Sequence, residues 1–175
     1  MTDAPALVTD RLILRPHRED DFDHCCALWG DAEVVRYVGG TAQDRQAVWF
    51  RLLRYAGMWA MLGYGMWVIE DRETGAFLGE AGLLNACRGL PELEGVPEVG
   101  WVLTPAAWGR GLATEAMRAV LDWADRDFGA PVVRCIIEEG NGASIGVAGK
   151  LGFIRLSQTQ LHGAPILVMD RRAGG

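Results

Sequence analysis

The chain has no apolar run long enough to cross a bilayer. Its longest candidate, Ala56 to Ile69, is broken by Gly57, Gly63 and Gly65, whereas a spanning helix needs about 20 predominantly apolar residues. Its opening residues, M-T-D-A-P-A, lack the basic segment and apolar core of a secretory leader. Cysteine is sparse: the four, at 25, 26, 87 and 135, form no C-x-x-C pair and no zinc-ligand spacing, and the adjacent Cys25 and Cys26 are poorly placed to bridge each other. Three histidines, at 17, 24 and 162, are too scattered along the chain to outline a metal site. These absences together predict a reduced, cytoplasmic protein with no metal and no membrane partner. Positive charge is also short, with 17 Lys and Arg against 23 Asp and Glu, a net charge of −6. That balance argues against a nucleic-acid partner, whose binding domains carry a basic face, and favours a cationic partner such as an amine.

What is present fits a single domain over residues 1–175. The composition, 50% hydrophobic and 23% charged, is that of a compact globule, and a chain of this length buries about 70% of its unfolded surface. Arg11 to Arg15 alternates charge with aliphatic residues and reads as a first strand closed by Pro16. Helices are expected over Glu19 to Trp29 and Asp44 to Met61. The second is rich in large side chains, which either pack on a sheet or line a pocket. Met66 to Glu70 and Ala76 to Leu84 read as neighbouring strands across a polar turn ending in Gly75. Residues 86–97, with two prolines and two interior glycines, read as a loop whose Glu92 and Glu94 either meet a cationic substrate or are simply solvated.

The most informative stretch runs from Glu98 to Phe128. Val99, Trp101 and Leu103 alternate as in a strand stopped by Thr104-Pro105, and Ala113, Ala116, Met117, Val120, Leu121, Ala124 and Phe128 form one apolar helical stripe. Between them lies Trp108-Gly109-Arg110-Gly111-Leu112-Ala113. A glycine turn opening a helix brings the backbone close to a ligand and presents N–H groups without intrahelical acceptors, a ready site for phosphate oxygens. The nearly continuous apolar run Val132 to Glu138 reads as a strand parallel to the one at Glu98, joined through a crossover helix. Asn141 to Leu151 is a helix stopped by Gly152 and weakened by Gly146 and Gly149. Phe153 to Leu161 and Ala164 to Asp170 form a closing hairpin, and Arg171 to Gly175 is expected to be loose.

The run W-G-R-G-L-A-T-E-A after E-V-G-W-V-L resembles the acyl-CoA-binding motif of the GNAT superfamily of N-acetyltransferases. T-D-R-L-I-L-R-P at Thr9, G-Y-G-M-W-V-I at Gly63 and N-G-A-S-I-G-V-A-G-K-L-G-F at Asn141 follow the same order. The chain most resembles the branch containing the ribosomal-protein N-terminal acetyltransferases, which often has an aromatic at the place of Trp108. The resemblance implies an α+β fold, with a mixed, mostly antiparallel sheet of about seven strands flanked by about four helices and split near the motif strand. It also implies acetyl transfer from acetyl-CoA directly to a primary amine, on a protein N-terminus or a small molecule, by a monomer or homodimer.

By that resemblance, the amides of Gly109, Arg110, Gly111, Leu112, Ala113 and Thr114, beside Trp108, would hold the diphosphate. The backbone of Trp101, Val102 and Leu103 would pair with the pantetheine arm as an added strand does. Asn141 would bond the same arm, act as a helix cap, or both. Ser144 would lie near the sulfur and protonate the leaving thiolate, or be a plain first-turn serine; Tyr37, Tyr55 and Tyr64 come too early in the chain to match the tyrosine that many superfamily members use there. Glu98 is the preferred general base, with Glu80 and Glu138 as rivals. An acyl-CoA-binding module without turnover is the alternative function.

Overall fold

The computed structural model describes residues 4–174; the first three residues of the N-terminal segment and the terminal Gly175 lie outside it. One sheet of eight strands organises the chain, in the order β1-β2-β3-β4-β5-β6-β8-β7. The strands are β1 (Leu7–Val8), β2 (Leu12–Arg15), β3 (Met66–Asp71), β4 (Phe77–Leu84), β5 (Glu98–Leu103), β6 (Val132–Glu138), β7 (Ile154–Leu161) and β8 (Ala164–Arg172). Among the described residues the five α-helices are α1 (Phe22–Gly30), α2 (Ala32–Val35), α3 (Arg45–Leu62), α4 (Leu112–Trp123) and α5 (Gly142–Lys150). The additions to the expected count are the two-residue β1 and the one-turn α2, both too short for a periodic pattern to reveal.

All strand pairs are antiparallel except β5 with β6. Local chemistry sets the helix ends. Asp44 caps α3 by accepting from the Ala47 N–H at 2.8 Å, Gly63 stops that helix in a left-handed conformation, and Asp31 caps α2. Strand β4 needs its glycines: a Cβ on Gly79 would stand 2.2 Å from the Val102 carbonyl oxygen, and one on Gly82 would stand 2.4 Å from that of Gly65.

The two faces of the sheet carry different helices. Leu12, Leu14, Ile69, Ala81, Leu83, Val99 and Leu103 pack with Leu112, Ala116, Met117, Val120 and Leu121 of α4. Each fully buried aliphatic side chain there contributes about 1.5–3 kcal/mol. Trp59, Trp67 and Trp123 meet edge-on in this core, with centroids 4.7–5.6 Å apart. Cys25, Leu28 and Trp29 of α1 pack with Val48 and Leu52 of α3 in a second core that Val102 touches from the sheet. Most of the large residues of α3 thus serve packing, while Phe50, Leu53 and Met61 are exposed.

The C-terminal expectation is corrected. Strand β8 continues through Arg172, and Arg171 is 8% exposed, holding Asp125 through two hydrogen bonds of 3.0 and 2.9 Å. Its partner is 46 residues away, so no local pattern announces the bond.

Candidate active site

Strand β5 is fully laddered to β4, from Glu98 opposite Leu84 to Leu103 opposite Gly79. On its other edge only Glu98 pairs with Arg134 of β6, helped by the Arg134 N–H donating to the Pro97 carbonyl at 3.1 Å. Strand β6 then follows β8 through seven consecutive pairs. The main chain of Val99 to Leu103 is therefore left with an open edge inside the sheet, which an extended ligand can complete. Across the opening, the end of β6 meets the connection after α2: a Cβ on Gly140 would stand 3.0 Å from the ring of Tyr37.

The open edge leads into the glycine turn. The Trp108 indole donates to the Leu103 carbonyl at 2.8 Å and caps the strand. Gly109 and Gly111 both hold positive φ, 72° and 76°, a region costly for any residue with a Cβ. The first main-chain bond of α4 runs from the Glu115 N–H to the Gly111 carbonyl, so the amides of Leu112, Ala113 and Thr114 have no helical acceptor. Thr114 and Leu112 are buried, whereas Trp108, Gly109, Arg110 and Gly111 are exposed at the mouth. These features suit an anion.

Two residues that sequence reasoning missed hold this turn. The Glu115 carboxylate accepts from the Thr9 hydroxyl at 2.6 Å, the Arg11 N–H at 3.0 Å and the Arg11 guanidinium at 2.7 Å, while Arg11 also donates to the Arg110 carbonyl at 3.0 Å. Burial works to raise the carboxyl's pKa, but these donors outweigh it and hold Glu115 below the ordinary range. A hollow of about 760 Å³ beside the turn is lined by Arg11, Arg118, Arg126 and Lys150 but equally by Asp10, Glu115, Asp122 and Asp127, so its charges balance. No sequence signal joins Arg11 to Glu115, because the contact spans 104 positions.

At α5, the Asn141 side chain accepts from the Ser144 N–H at 3.1 Å, so Asn141 is the helix cap. The Ser144 hydroxyl makes no hydrogen bond among the described residues and is half-buried at the same helix start. Gly146 and Gly149 have nothing within 4 Å of a built Cβ, so no protein backbone accounts for them.

The three candidate bases are placed very differently. Glu80 is 0% exposed, with one oxygen 3.1 Å from His17 Nε2 and 3.3 Å from Cys25 Sγ. Its other oxygen accepts from the Trp29 indole at 2.9 Å and the Tyr55 hydroxyl at 3.1 Å. Burial favours its neutral form, yet the hydrogen bonds, His17 foremost, prevail and lower its pKa. With four donors and no exposure, Glu80 is a structural anchor between β4, α1 and α3. Glu138 is half-buried at the end of β6. Glu98 lies where β5 and β6 part, 5% exposed, with both oxygens held by Arg88 at 2.8 and 2.9 Å.

His17, Cys25 and Glu80 place their donor atoms within 4.8 Å of one another, a grouping that the scatter of histidines along the chain did not suggest. Burial, then the charge of Glu80, pushes the Cys25 thiol up, keeping it protonated as a donor to the carboxylate. Burial does the same to Cys135, with Glu98 adding to it. Neither buried thiol is therefore poised as a thiolate nucleophile.

Glu98 also forms one wall of a cavity of about 470 Å³ enclosed by residues 84–98, among them Cys87, Arg88, Leu90 and Glu94. The far side of that loop is anchored: Arg134 donates to the Glu92 carbonyl and to Asp170, and the Ser157 hydroxyl donates to the Glu92 carboxylate at 3.0 Å. Glu92 thus has a structural task rather than a free carboxylate.

Residues 11–154 match the family described as Acetyltransferase (GNAT) domain. The chain is 34% identical over 175 residues to the uncharacterized protein YkkB of Bacillus subtilis, with 95% of each covered. A Bordetella pertussis structure assigned to the GnaT family of acetyltransferases superposes with a TM-score of 0.85 at 34% identity, over 96% of this chain and 99% of that one. RimL, a ribosomal L7/L12 alpha-N-protein acetyltransferase solved with coenzyme A, shares the fold at 15% identity, with a TM-score of 0.80 over 96% and 98% of the two chains. The glycine turn, the interrupted sheet and the four ordered sequence segments have one common source: this chain belongs to the GNAT family of acetyltransferases.

Proposed function

We propose that the protein, acting as one domain, transfers the acetyl group of acetyl-CoA directly to a primary amine on a protein N-terminus or a small molecule. The observation that carries this reading is the open main-chain edge from Val99 to Leu103 running into the unpaired amides of the glycine turn. An extended arm with a diphosphate at one end fits that sequence of groups, and RimL, which shares the fold, is solved with coenzyme A. The amides of residues 109–114 would hold the diphosphate, with Arg11, paired to Glu115, bracing the turn from the side. Trp101, Val102 and Leu103 would lay out the pantetheine arm, with the thioester toward the closed end of the gap beside Glu98. The Asn141 amide group, its oxygen already spent on the cap, would offer N–H donors to the same arm.

Glu98, directly or through water, would take the proton from the acceptor amine as nitrogen attacks the acetyl carbonyl carbon. Carbon–sulfur cleavage then leaves the electron pair on sulfur, and the Ser144 hydroxyl would supply its proton. Holding donor and acceptor together supplies much of the acceleration that such transfers need. The net charge of −6 fits a cationic acceptor better than nucleic acid, and among the described residues no helix is long and apolar enough to cross a membrane. The protein would act as a monomer or homodimer.

Titration calorimetry with acetyl-CoA tests the first half of the proposal, and mass analysis of products across an amine library tests the second. Absence of binding at millimolar ligand would end it. Glu98→Gln should slow amine-dependent CoA release by roughly 100-fold or more, the usual contribution of a positioned base; a loss under about threefold removes Glu98 from that role. The occupied state of both Glu98 oxygens favours the second reading, an acyl-CoA-binding module without turnover. Steady amine-dependent CoA release separates the two.

A further inference from the structure

We propose that Arg88 is a resident counter-cation that keeps Glu98 out of the chemistry until a positively charged acceptor takes its place. The device would select cationic amines and deny the base to water. The inference rests on the acetyl-transfer reading given above.

Three observations carry it. First, the guanidinium binds Glu98 through Nε and Nη2 at 2.8 and 2.9 Å, a fork that covers both carboxylate oxygens, while the Glu98 side chain is 7% exposed and that of Arg88 is 28% exposed. A base engaged in this way has a lone pair of each oxygen spent on the guanidinium and its charge already matched, and its remaining lone pairs are almost shut off from solvent. Second, the pair sits on the wall of the 470 Å³ cavity, at the point where β5 and β6 part and the thioester is expected. The guanidinium thus stands beside the place where the acetyl-transfer reading puts the acceptor's ammonium. Third, the loop can let Arg88 go without unfolding. Residues 90–96 are tied by the Glu92 contacts with Arg134 and Ser157 and by their own turn bonds. Arg88 instead lies between Cys87 at φ 46° and Gly89 at φ 69°, two left-handed residues, and among the described residues the other side-chain ties in this part run from the Cys87 N–H and thiol to the Asn85 side-chain oxygen.

Simple departure of Arg88 would leave a carboxylate buried and unpaired, which is strongly unfavourable. Exchange of one cation for another avoids that state, so an ammonium can displace Arg88 where a neutral molecule cannot. Once paired, the ammonium gives one proton to a Glu98 oxygen and its nitrogen forms a bond to the acetyl carbon. The carbon–sulfur bond breaks, and the second nitrogen proton passes, by way of the Ser144 hydroxyl, to the thiolate, which leaves as CoA. Water, which brings no charge, does not open the site. If it did, Glu98 would take a proton from water, a carbon–oxygen bond would form, and acetyl-CoA would be lost as acetate and CoA.

The test needs no identified acceptor. The full-length protein and its Arg88→Met variant are incubated with acetyl-CoA and no amine, and CoA and acetate are quantified by chromatography. The variant should hydrolyse acetyl-CoA at least about tenfold faster, toward the low side of what a positioned base supplies. Added ethylguanidinium should suppress the excess, and Arg88→Met/Glu98→Gln should lack it. Unchanged hydrolysis by a variant that binds acetyl-CoA normally in calorimetry overturns the proposal, and so does a fall in hydrolysis, as expected if Arg88 merely holds the loop or hooks an anionic acceptor. Failure of both proteins to bind acetyl-CoA overturns the acetyl-transfer reading itself and is distinguishable by that measurement. Should Arg88→Met not fold, hydrogen exchange on the wild-type protein decides. With CoA bound, n-propylammonium should speed exchange of the amides of 86–89 and leave 90–96 protected; no change at 86–89 refutes displacement.

Discussion

Alanine at Gly111 would separate what the glycine turn does for the fold from what it does for a ligand. Gly111 holds φ 76°, and a Cβ there would meet only Arg11 Nη2, at 3.8 Å, an ordinary contact. The folding cost is therefore a backbone cost, about 1–2 kcal/mol for a left-handed residue bearing a Cβ. For a chain of this length that lowers Tm by roughly 2–8 °C, at 2–4 °C for each kcal/mol. Gly109, at φ 72° with nothing within 4 Å of its built Cβ, should behave alike, as should Gly75 in the β3–β4 turn, also at φ 72° with nothing near. The three variants should thus match in thermal denaturation and diverge in calorimetry. With a diphosphate against these amides, the new methyl groups at 109 and 111 push against its oxygens, and CoA affinity should fall about tenfold or more, at least ~1.4 kcal/mol. Gly75→Ala should bind CoA as the parent does. Equal Tm losses with unchanged CoA affinity at Gly111 and Gly109 would show that the anion is held elsewhere, removing the basis for the roles given to β5 and Glu98.

Other outcomes follow from the same geometry. Glu80→Ala leaves the Trp29, Tyr55, Cys25 and His17 donors without their buried acceptor and should cost about 3–5 kcal/mol in urea unfolding. A loss under 1 kcal/mol would contradict its role as an anchor. Glu115→Ala releases Thr9 and Arg11 from the first turn of α4 and should cost about 1–3 kcal/mol while weakening CoA binding in the same titration. Gly149→Ala, in open space on α5, should stabilise the protein by up to about 1 kcal/mol; reduced CoA affinity in that variant would instead assign the glycine to close cofactor approach. Asp21 is pushed up by burial but pulled down further by its bonds with Arg15 and the Arg18 N–H, so its folded pKa is depressed, as is that of Glu80. A depressed carboxyl stabilises the fold at pH values above its unfolded pKa, and the contribution is lost as pH falls through the folded one. Unfolding free energy should accordingly drop below about pH 4, and less steeply in Asp21→Asn.

The elements were legible in sequence wherever they are long and periodic. The β5–turn–α4 unit, the apolar β6, the α3 helix with its Asp44 start and the closing hairpin all follow from side-chain period and from where glycine and proline fall. So did the shape of the turn, because the positive φ of Gly109 and Gly111 and the helix that starts at Leu112 are both local properties. The short β1 and α2 carry no period and were invisible. Arg171 looked like part of a loose tail because its partner, Asp125, becomes a neighbour only when β8 is laid beside β6.

Tertiary structure alone decided how the acidic residues divide their work. Glu80 and Glu98 look interchangeable as glutamates on neighbouring strands, yet folding surrounds one with four donors from three other segments and sets the other at the break in the sheet with a cation on it. Arg11 and Glu115, 104 positions apart, could be recognised as the brace of the glycine turn only once β2 lay against α4. The amino-acid order determined which segments become strands, helices and a ligand-ready turn, since these depend on conformational preference within a few residues. A carboxylate's role depends on the donors and solvent around it, and those arrive from distant parts of the chain only when the sheet is assembled.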